Sequence, residues 1–207
     1  MSLLYKLNDL EELVFNEGER LIPGKTHRPE ELTRHLSSYN FFKDRILEDR
    51  HLITYPFTIA DLGSGVGYCC KLLSEIPYSI IIGVDNSEAC RLYAKEHYSG
   101  SNIHYKTEDL HDFIANMSAY DYVVSRGVFE HIEDGLTLAT KVKFNRMFIF
   151  DVPYNEAPGN PHHKLLGITE DSFSGFKNKE LYYQDLAGKI TLTNIGKPNM
   201  VGCLCKP

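Results

Sequence analysis

A glycine-rich segment led by an acidic residue is the part of the sequence whose residue types and spacing best suit ligand chemistry. Asp61-Leu62-Gly63-Ser64-Gly65-Val66-Gly67 lies between a short apolar run at 57–60 and a helix-like stretch at 69–76. Glycine lets the backbone turn sharply and lets a ligand approach where a Cβ atom would collide. In parallel α/β folds, ligands bind at such turns because they follow the carboxyl ends of strands. The segment therefore predicts a ligand-binding loop.

A second acidic residue, Asp85, ends the next apolar run at 79–84. An ionised carboxylate only accepts hydrogen bonds, so it can serve both hydroxyls of a ribose. This fits a dinucleotide as well as S-adenosylmethionine, but the glycines are spaced G-x-G-x-G and not G-x-G-x-x-G. Asp61 would repel a pyrophosphate and attract a ligand that carries an amine and a sulfonium. The sequence also lacks a second βαβαβ half for a nicotinamide, so these residues favour S-adenosylmethionine.

The elements that must position these acids alternate between short apolar runs and amphipathic stretches. Unbroken apolar runs are typical of strands buried on both faces, and intervening helices predict parallel pairing with right-handed crossovers. Further strands are expected at 103–106, 120–125 and 147–152, followed by an antiparallel pairing of 189–195 with 200–205. We therefore predict a doubly wound, mostly parallel α/β sheet of seven strands, Rossmann-like, with a C-terminal antiparallel hairpin.

Residues 1–50 interleave acidic and basic side chains with leucines, which predicts helices broken around Ile22-Pro23-Gly24-Lys25. We expect this part to form an N-terminal helical lid and residues 51–207 to form one α/β domain. A chain of 207 residues suits a single domain with a substantial core.

The overall charge and composition exclude several classes of partner. A net charge of −6 gives no general attraction for a phosphate backbone, so nucleic acid is not an expected partner. No run reaches the roughly 18 apolar residues that a membrane span needs, and acidic residues replace the basic n-region of a signal peptide. We expect a cytosolic protein without a membrane partner.

The number of cysteines is odd, at five, and Cys69 adjoins Cys70, which predicts free thiols. The oligomeric state is not indicated.

The motifs DLGSGVGY, GVDNS, TEDL, DYVVSRGVFEHIED and FIFDVPYNE, in this order, resemble those of class I S-adenosylmethionine-dependent methyltransferases over residues 57–156. Two flanking elements resemble those of bacterial glycan and natural-product methyltransferases, namely Gly18-Glu19-Arg20-Leu21-Ile22-Pro23 and Asn160-Pro161-His162-His163-Lys164. One departure is Lys143-Phe144-Asn145-Arg146, which stands where the usual pattern has a K-P-G-G turn.

The resemblance implies S-adenosyl-L-methionine as the cofactor and assigns its contacts by position. The implied contacts are Asp61, Gly63, Ser64, Gly65, Gly67, Ser125 and Arg126 for the amino acid and methionine part, Asp85 for the ribose, and Asn86, Asp109 and Leu110 for the adenine. It also implies that the N-terminal segment folds over the cofactor, which would bring Arg20, Arg34 and Tyr39 within reach.

Candidate catalytic residues follow from the chemistry of methyl transfer. A sulfonium is already an activated leaving group, so the enzyme mainly aligns nucleophile, methyl and sulfur and needs a base only for a weakly acidic hydroxyl. Histidine is the natural base near neutral pH. His131 follows the fourth strand and His163 lies on the loop after the fifth, with Tyr154 as the next candidate. Of these we prefer His131 as the base and expect His163 to orient the acceptor.

The expected function is O-methylation of a small or saccharide-like acceptor. Two alternatives remain open: an NAD-binding Rossmann oxidoreductase, and a catalytically silent module that binds S-adenosylmethionine. His162 and His163 with Glu156 or Asp171 lack H-x-x-H spacing, so no metal site is expected.

Overall fold

The computed structural model describes residues 8–25, 29–50 and 54–207. The α-helices within these ranges are α1 (Asp9–Asn16), α2 (Pro29–Asp49), α3 (Tyr68–Leu73), α4 (Glu88–His97), α5 (Leu110–Asn116) and α6 (Gly135–Ala139). The strands are β1 (Phe57–Leu62), β2 (Ser79–Asp85), β3 (Ile103–Thr107), β4 (Tyr120–Arg126), β5 (Phe144–Pro153), β6 (Lys179–Gln184), β7 (Ile190–Thr191) and β8 (Met200–Cys205). Short 3₁₀ turns cover Phe129–His131 and Glu170–Phe173. None of the helices described is long and apolar enough to cross a membrane.

The strands form one sheet in the order β3-β2-β1-β4-β5-β8-β6-β7. The neighbours from β3 to β5 pair in parallel, and β8, β6 and β7 pair antiparallel. The predicted doubly wound α/β class with a C-terminal antiparallel hairpin is confirmed. The described sheet has eight strands, one more than predicted, and the additional strand is β6, which lies in a stretch where no strand was predicted.

The pairing within the C-terminal part differs from the expectation. The sequence predicted that 189–195 would pair with 200–205, whereas β7 pairs with β6, and β8 lies between β5 and β6. All six residues of β8 are buried, while both residues of β7 are partly exposed. A fully apolar strand gains most in the interior of the sheet, so β8 takes that position and β7 the edge.

Both faces of the sheet are covered, and the N-terminal part contributes to one of them. Phe42 and Ile46 of α2 are fully buried in a cluster that also holds Ile59 of β1 and Val124 of β4. Truncating a buried phenylalanine costs about 3–5 kcal/mol, so α2 stabilises the domain itself. The predicted division into a lid at 1–50 and a domain at 51–207 stays a prediction, and residues 1–7, 26–28 and 51–53 lie outside the described residues.

The strand order reverses between β1 and β4, which makes their carboxyl ends the topological switch point. Asp61 lies next to the end of β1, Asp85 ends β2 and Arg126 ends β4. The helix after β2 begins as the sequence indicates, because the Ser87 side chain accepts a hydrogen bond from the backbone N–H of Cys90. The fold thus brings the predicted strand-end residues to one edge of the sheet.

Candidate active site

A cavity lies at this edge of the sheet, between the loops that follow β1, β2, β3 and β4 and the segment before α2. Its wall contains many of the residues predicted to bind the cofactor, namely Gly63, Ser64, Gly65, Asp85, Asn86, Asp109, Leu110 and Arg126. His131 lies in the same wall. The predicted cofactor loop and one predicted catalytic residue therefore share one cavity.

The three glycines of the loop differ in what they make room for. All three have positive φ angles, of 72° at Gly63, 52° at Gly65 and 86° at Gly67. A Cβ atom at Gly63 would lie 2.2 Å from a methyl of Val128, and one at Gly67 would lie 2.7 Å from Ala94 Cβ. A Cβ at Gly65 would meet nothing within 4 Å. Gly63 and Gly67 thus permit close packing, while Gly65 leaves open space at the cavity.

Asp85 organises the loop and also faces the cavity. Its Oδ2 accepts a hydrogen bond of 2.9 Å from the backbone N–H of Gly65, and its Oδ1 accepts one of 3.0 Å from Ser87. Arg20 donates to Oδ1 at 3.2 Å and to Asn86 Oδ1 at 2.9 Å. A ribose bound here would share the Asp85 carboxylate with two backbone amides and the Arg20 guanidinium.

Asp61 lies behind the cavity wall. It is fully buried, its Oδ1 accepts a hydrogen bond of 2.8 Å from the Tyr39 hydroxyl, and its Oδ2 accepts one of 3.2 Å from the Cys70 thiol. Burial raises the pKa of Asp61 to about 7. Tyr39 lines the cavity, so its hydrogen bond connects Asp61 to the cavity wall.

Ser125 and Gly67 also lie outside the cavity wall formed by the described residues. The Ser125 hydroxyl is buried and donates to the backbone oxygen of Leu62 at 2.9 Å. Ser125 therefore links β4 to β1, and its predicted contact with the methionine part stays a prediction.

Arg126 enters the cavity wall from a buried polar network. Its Nη1 donates to Asp151 Oδ2 at 2.7 Å and its Nη2 donates to Gln184 Oε1 at 3.0 Å. The hydroxyl of Ser38 in α2 donates to the same Asp151 oxygen at 2.7 Å. The Nε of Arg126 is buried without a hydrogen-bond partner among the described residues. A buried unsatisfied donor of this kind is rare in native proteins, and a bound carboxylate would satisfy it.

His131 and His163 meet although they lie on the loops after β4 and β5. Their ring centroids are 4.8 Å apart in an edge-on arrangement. The Nδ1 of His131 donates to the backbone oxygen of His162 at 3.1 Å, because a carbonyl can only accept, and this leaves a lone pair at Nε2. Burial lowers the pKa of His131, which favours the neutral imidazole.

The third predicted catalytic residue, Tyr154, is not brought to this cavity. Its hydroxyl donates to Glu170 Oε2 at 3.1 Å and accepts from Asn194 at 3.2 Å. Glu170 also accepts a hydrogen bond of 2.9 Å from the Tyr183 hydroxyl. The structure thus brings together two of the three candidates.

Two acidic residues near the histidines were not predicted. Glu19 lies in the cavity wall and its Oε2 is 3.1 Å from His163 Nε2. Glu130 is buried, one of its carboxylate oxygens has no partner among the described residues, and burial raises its pKa to about 8. Glu19 precedes Arg20 and Glu130 precedes His131, two residues that the sequence analysis had singled out. This adjacency is the one sequence feature that could have indicated the two acidic residues.

Comparison with known proteins supports the site's class. Residues 59–146 match the model of a family described as a methyltransferase domain. This range starts within β1 and ends within β5, so it includes the glycine loop, Asp85 and His131. The predicted resemblance to class I, S-adenosylmethionine-dependent methyltransferases is confirmed over these residues. No curated protein sequence gives a significant match to the chain.

Solved structures share the fold at low sequence identity. The bifunctional kinase-methyltransferase WbdD is 15% identical with a TM-score of 0.62, over 95% of this chain and 46% of its own. The plantazolicin methyltransferase BpumL, solved with S-adenosylhomocysteine (SAH), is 15% identical with a TM-score of 0.62, over 86% of both chains. The N-terminal domain of EvdMO1, solved with SAH and D-fucose, is 14% identical with a TM-score of 0.57, over 79% of this chain and 82% of its own. The chain spans about half the length of WbdD.

Proposed function

We propose that this chain transfers a methyl group from S-adenosylmethionine to a hydroxyl of a small or saccharide-like acceptor. The observation that carries the proposal is one cavity whose wall holds Gly65, hydrogen-bonded to Asp85, in one part and His131 in another. The presence of D-fucose with SAH in the structurally similar EvdMO1 domain supports a saccharide-like acceptor.

The cofactor contacts follow from the cavity wall. Asp85 would accept hydrogen bonds from the ribose hydroxyls, while Asn86, Asp109 and Leu110 would surround the adenine. The unpartnered Nε of Arg126 would donate to the cofactor carboxylate. The loop at 63–67 would run along the methionine part, with Asp61 acting through Tyr39 and Ser125 holding β4 against β1.

His131 and His163 would promote loss of the acceptor's proton as the methyl group moves. The lone pair at Nε2 of His131 and the position of this residue in the cavity wall support that role. Tyr154 stays the third candidate, although its hydroxyl is bonded to Glu170 and it does not line the cavity. The segment before α2 would act as part of the lid, because Glu19 and Arg20 both line the cavity.

The test has a binding part and a transfer part. Calorimetry should give SAH affinity in the micromolar range, roughly −8 kcal/mol, and no heat with NAD. Radiolabelled S-adenosylmethionine should then label sugars in a panel of monosaccharides and nucleotide sugars, with NMR locating the methyl group on oxygen. Binding of NAD without SAH would favour the oxidoreductase, and tight SAH binding without transfer to any acceptor would favour a silent module. Transfer to nitrogen or to a carboxylate would overturn the hydroxyl assignment.

A further inference from the structure

Three side chains from separate parts of the chain meet at the wall of the cavity. Glu19 lies before α2, His131 follows β4, and His163 lies on the loop after β5. One carboxylate oxygen and one ring nitrogen from each histidine lie within 4.8 Å of one another. We propose that Glu19, His131 and His163 form a binding site for one divalent first-row transition-metal ion.

The hydrogen bonds around the two imidazoles aim the same nitrogen of each ring at Glu19. His131 Nδ1 donates to the backbone oxygen of His162, and His163 Nδ1 is bonded to the carboxylate of Glu156. Metal-binding histidines almost always donate their second ring N–H to a carboxylate or a backbone carbonyl, which fixes the tautomer. Both kinds of partner are present here, so both Nε2 atoms are left as ligand atoms.

The side chain of Asn160 supports this tautomer of His163. Its Oδ1 accepts a hydrogen bond of 3.0 Å from the backbone N–H of His162, which fixes the orientation of the amide. Its Nδ2 therefore points to His163 Nε2 at 3.1 Å and to Glu19 Oε2 at 3.1 Å. An amide nitrogen only donates, so Nε2 of His163 is the acceptor and carries the lone pair.

Two acceptor atoms then face each other. Nε2 of His163 and Oε2 of Glu19 are 3.1 Å apart, and Nε2 of His131 is 4.0 Å from the same oxygen. Ligands of one ion at about 2.0–2.2 Å are separated by roughly 3.0–3.5 Å in tetrahedral or octahedral geometry. The first distance already fits this range, and the second requires a shift of less than about 1 Å of the half-exposed Glu19.

The donor set indicates which cations would bind. Two imidazole nitrogens with one carboxylate suit zinc, cobalt, nickel or ferrous iron better than magnesium or calcium, which prefer oxygen ligands. Three protein ligands leave further coordination positions open, which is the arrangement of catalytic sites and not of structural ones.

Since Glu19 and His131 line the proposed cofactor cavity, an open coordination position would be available to the acceptor hydroxyl. This part of the inference rests on the proposed function, whereas metal binding itself does not. The bound oxygen would lose its proton to solvent water more readily, because a metal ion lowers the pKa of a bound hydroxyl. The oxygen–methyl bond would form as the methyl–sulfur bond breaks, with no change in the oxidation state of the ion.

The binding test uses the full chain, with any affinity tag removed and traces of metal stripped by a chelator. Titration with Co²⁺, followed by calorimetry and by visible absorption, should show one ion per chain. Glu19→Gln, His131→Ala and His163→Ala should each weaken binding at least about tenfold, and Glu156→Gln should weaken it about tenfold through His163. Glu17→Gln and His104→Ala, which change exposed residues outside the cluster, are the matched controls and should bind Co²⁺ as wild type does.

Circular dichroism melting curves identify variants that fail to fold, and Glu156→Gln provides a readout that retains all three ligands. Absence of Co²⁺ binding by wild type, or equal binding by the three ligand variants, would overturn the metal site. Methyl transfer that proceeds at full rate in EDTA would overturn the role in acceptor binding while leaving the proposed function intact. If the wild-type chain does not bind SAH but binds Co²⁺, and the ligand variants lose Co²⁺ binding, the proposed function is refuted and the metal site is retained.

Discussion

The two ends of the cavity are built in different ways. At the proposed cofactor end, Gly63, Gly65 and Asp85 lie on two strand-to-helix connections, and backbone amides donate to the Asp85 carboxylate. At the proposed acceptor end, the contacts join side chains from distant segments, since Asn160 and Glu19 are 141 residues apart in sequence. Glu19 has 43% of its side chain exposed, whereas Asp85 has 9%.

This difference indicates which substitutions each end tolerates. A site held by backbone amides keeps its shape as long as the strands and turns form, because those groups are present in every residue except proline. A site assembled from side chains fails when any one of them is removed. Predictions can therefore test the two ends separately, with turnover as the measure for one and cofactor affinity for the other.

The largest effect is expected at the acceptor end. His131→Ala should lower turnover by about 10²–10⁴-fold because the acceptor loses the group that promotes release of its proton. The SAH affinity should stay close to that of wild type, since the cofactor contacts proposed for Asp85 and Arg126 do not involve His131. His97→Ala, which changes a partly exposed histidine on α4, serves as the control. Wild-type turnover in the His131 variant would make this residue structural.

The next effect is expected at the cofactor end. Asp85→Ala removes an acceptor for two ribose hydroxyls, each bond contributing about 1.5–3 kcal/mol, so SAH affinity should fall at least tenfold. Calorimetry measures this, with the exposed Asp112→Ala as the control. An unchanged SAH affinity in folded protein would mean that the ribose lies elsewhere.

The loop glycines allow a finer comparison within the cofactor end. Gly67→Ala places a methyl against Ala94 and Tyr105 with φ at 86°, so it should lower the free energy of unfolding by at least about 2 kcal/mol. Gly65→Ala has free space, so its cost should be about 1 kcal/mol from the left-handed backbone alone, but its methyl should weaken SAH binding. Urea unfolding and calorimetry measure the two effects. Equal destabilisation by both variants would contradict the separate roles assigned to these glycines.

The same division explains what could be predicted from the sequence. Asp85 and the loop glycines were predictable because a strand end, a turn and a helix start are local patterns, and parallel strands align their carboxyl ends. The contact of Tyr39 with Asp61 and that of Glu19 with His163 were not, because side-chain partners across distant segments leave no local pattern. The position of β8 was also missed, since adjacency in sequence favours a hairpin with the segment before it while burial of all six residues requires an interior position.

The smallest effect concerns Asp61, whose carboxylate lies behind the cofactor end. Burial raises its pKa to about 7, while an unfolded aspartate titrates near 3.9. Between these two pH values, Asp61 therefore holds a proton in the folded protein and has released it in the unfolded chain. The free energy of unfolding should therefore fall as the pH rises from about 4 to about 7, by up to about 1 kcal/mol per pH unit from this group. In Asp61→Asn this contribution should vanish, because the amide stays neutral and its oxygen still accepts from Tyr39. Urea unfolding of wild type, Asp61→Asn and the exposed control Asp44→Asn at pH 5, 6, 7 and 8 measures the difference, since other groups titrate alike in all three.

Parallel stability curves for wild type and Asp61→Asn would mean that Asp61 ionises normally despite its burial. A large loss of SAH affinity in Asp61→Asn would in turn show that the cofactor needs the negative charge of Asp61, and that a neutral side chain hydrogen-bonded to Tyr39 is insufficient.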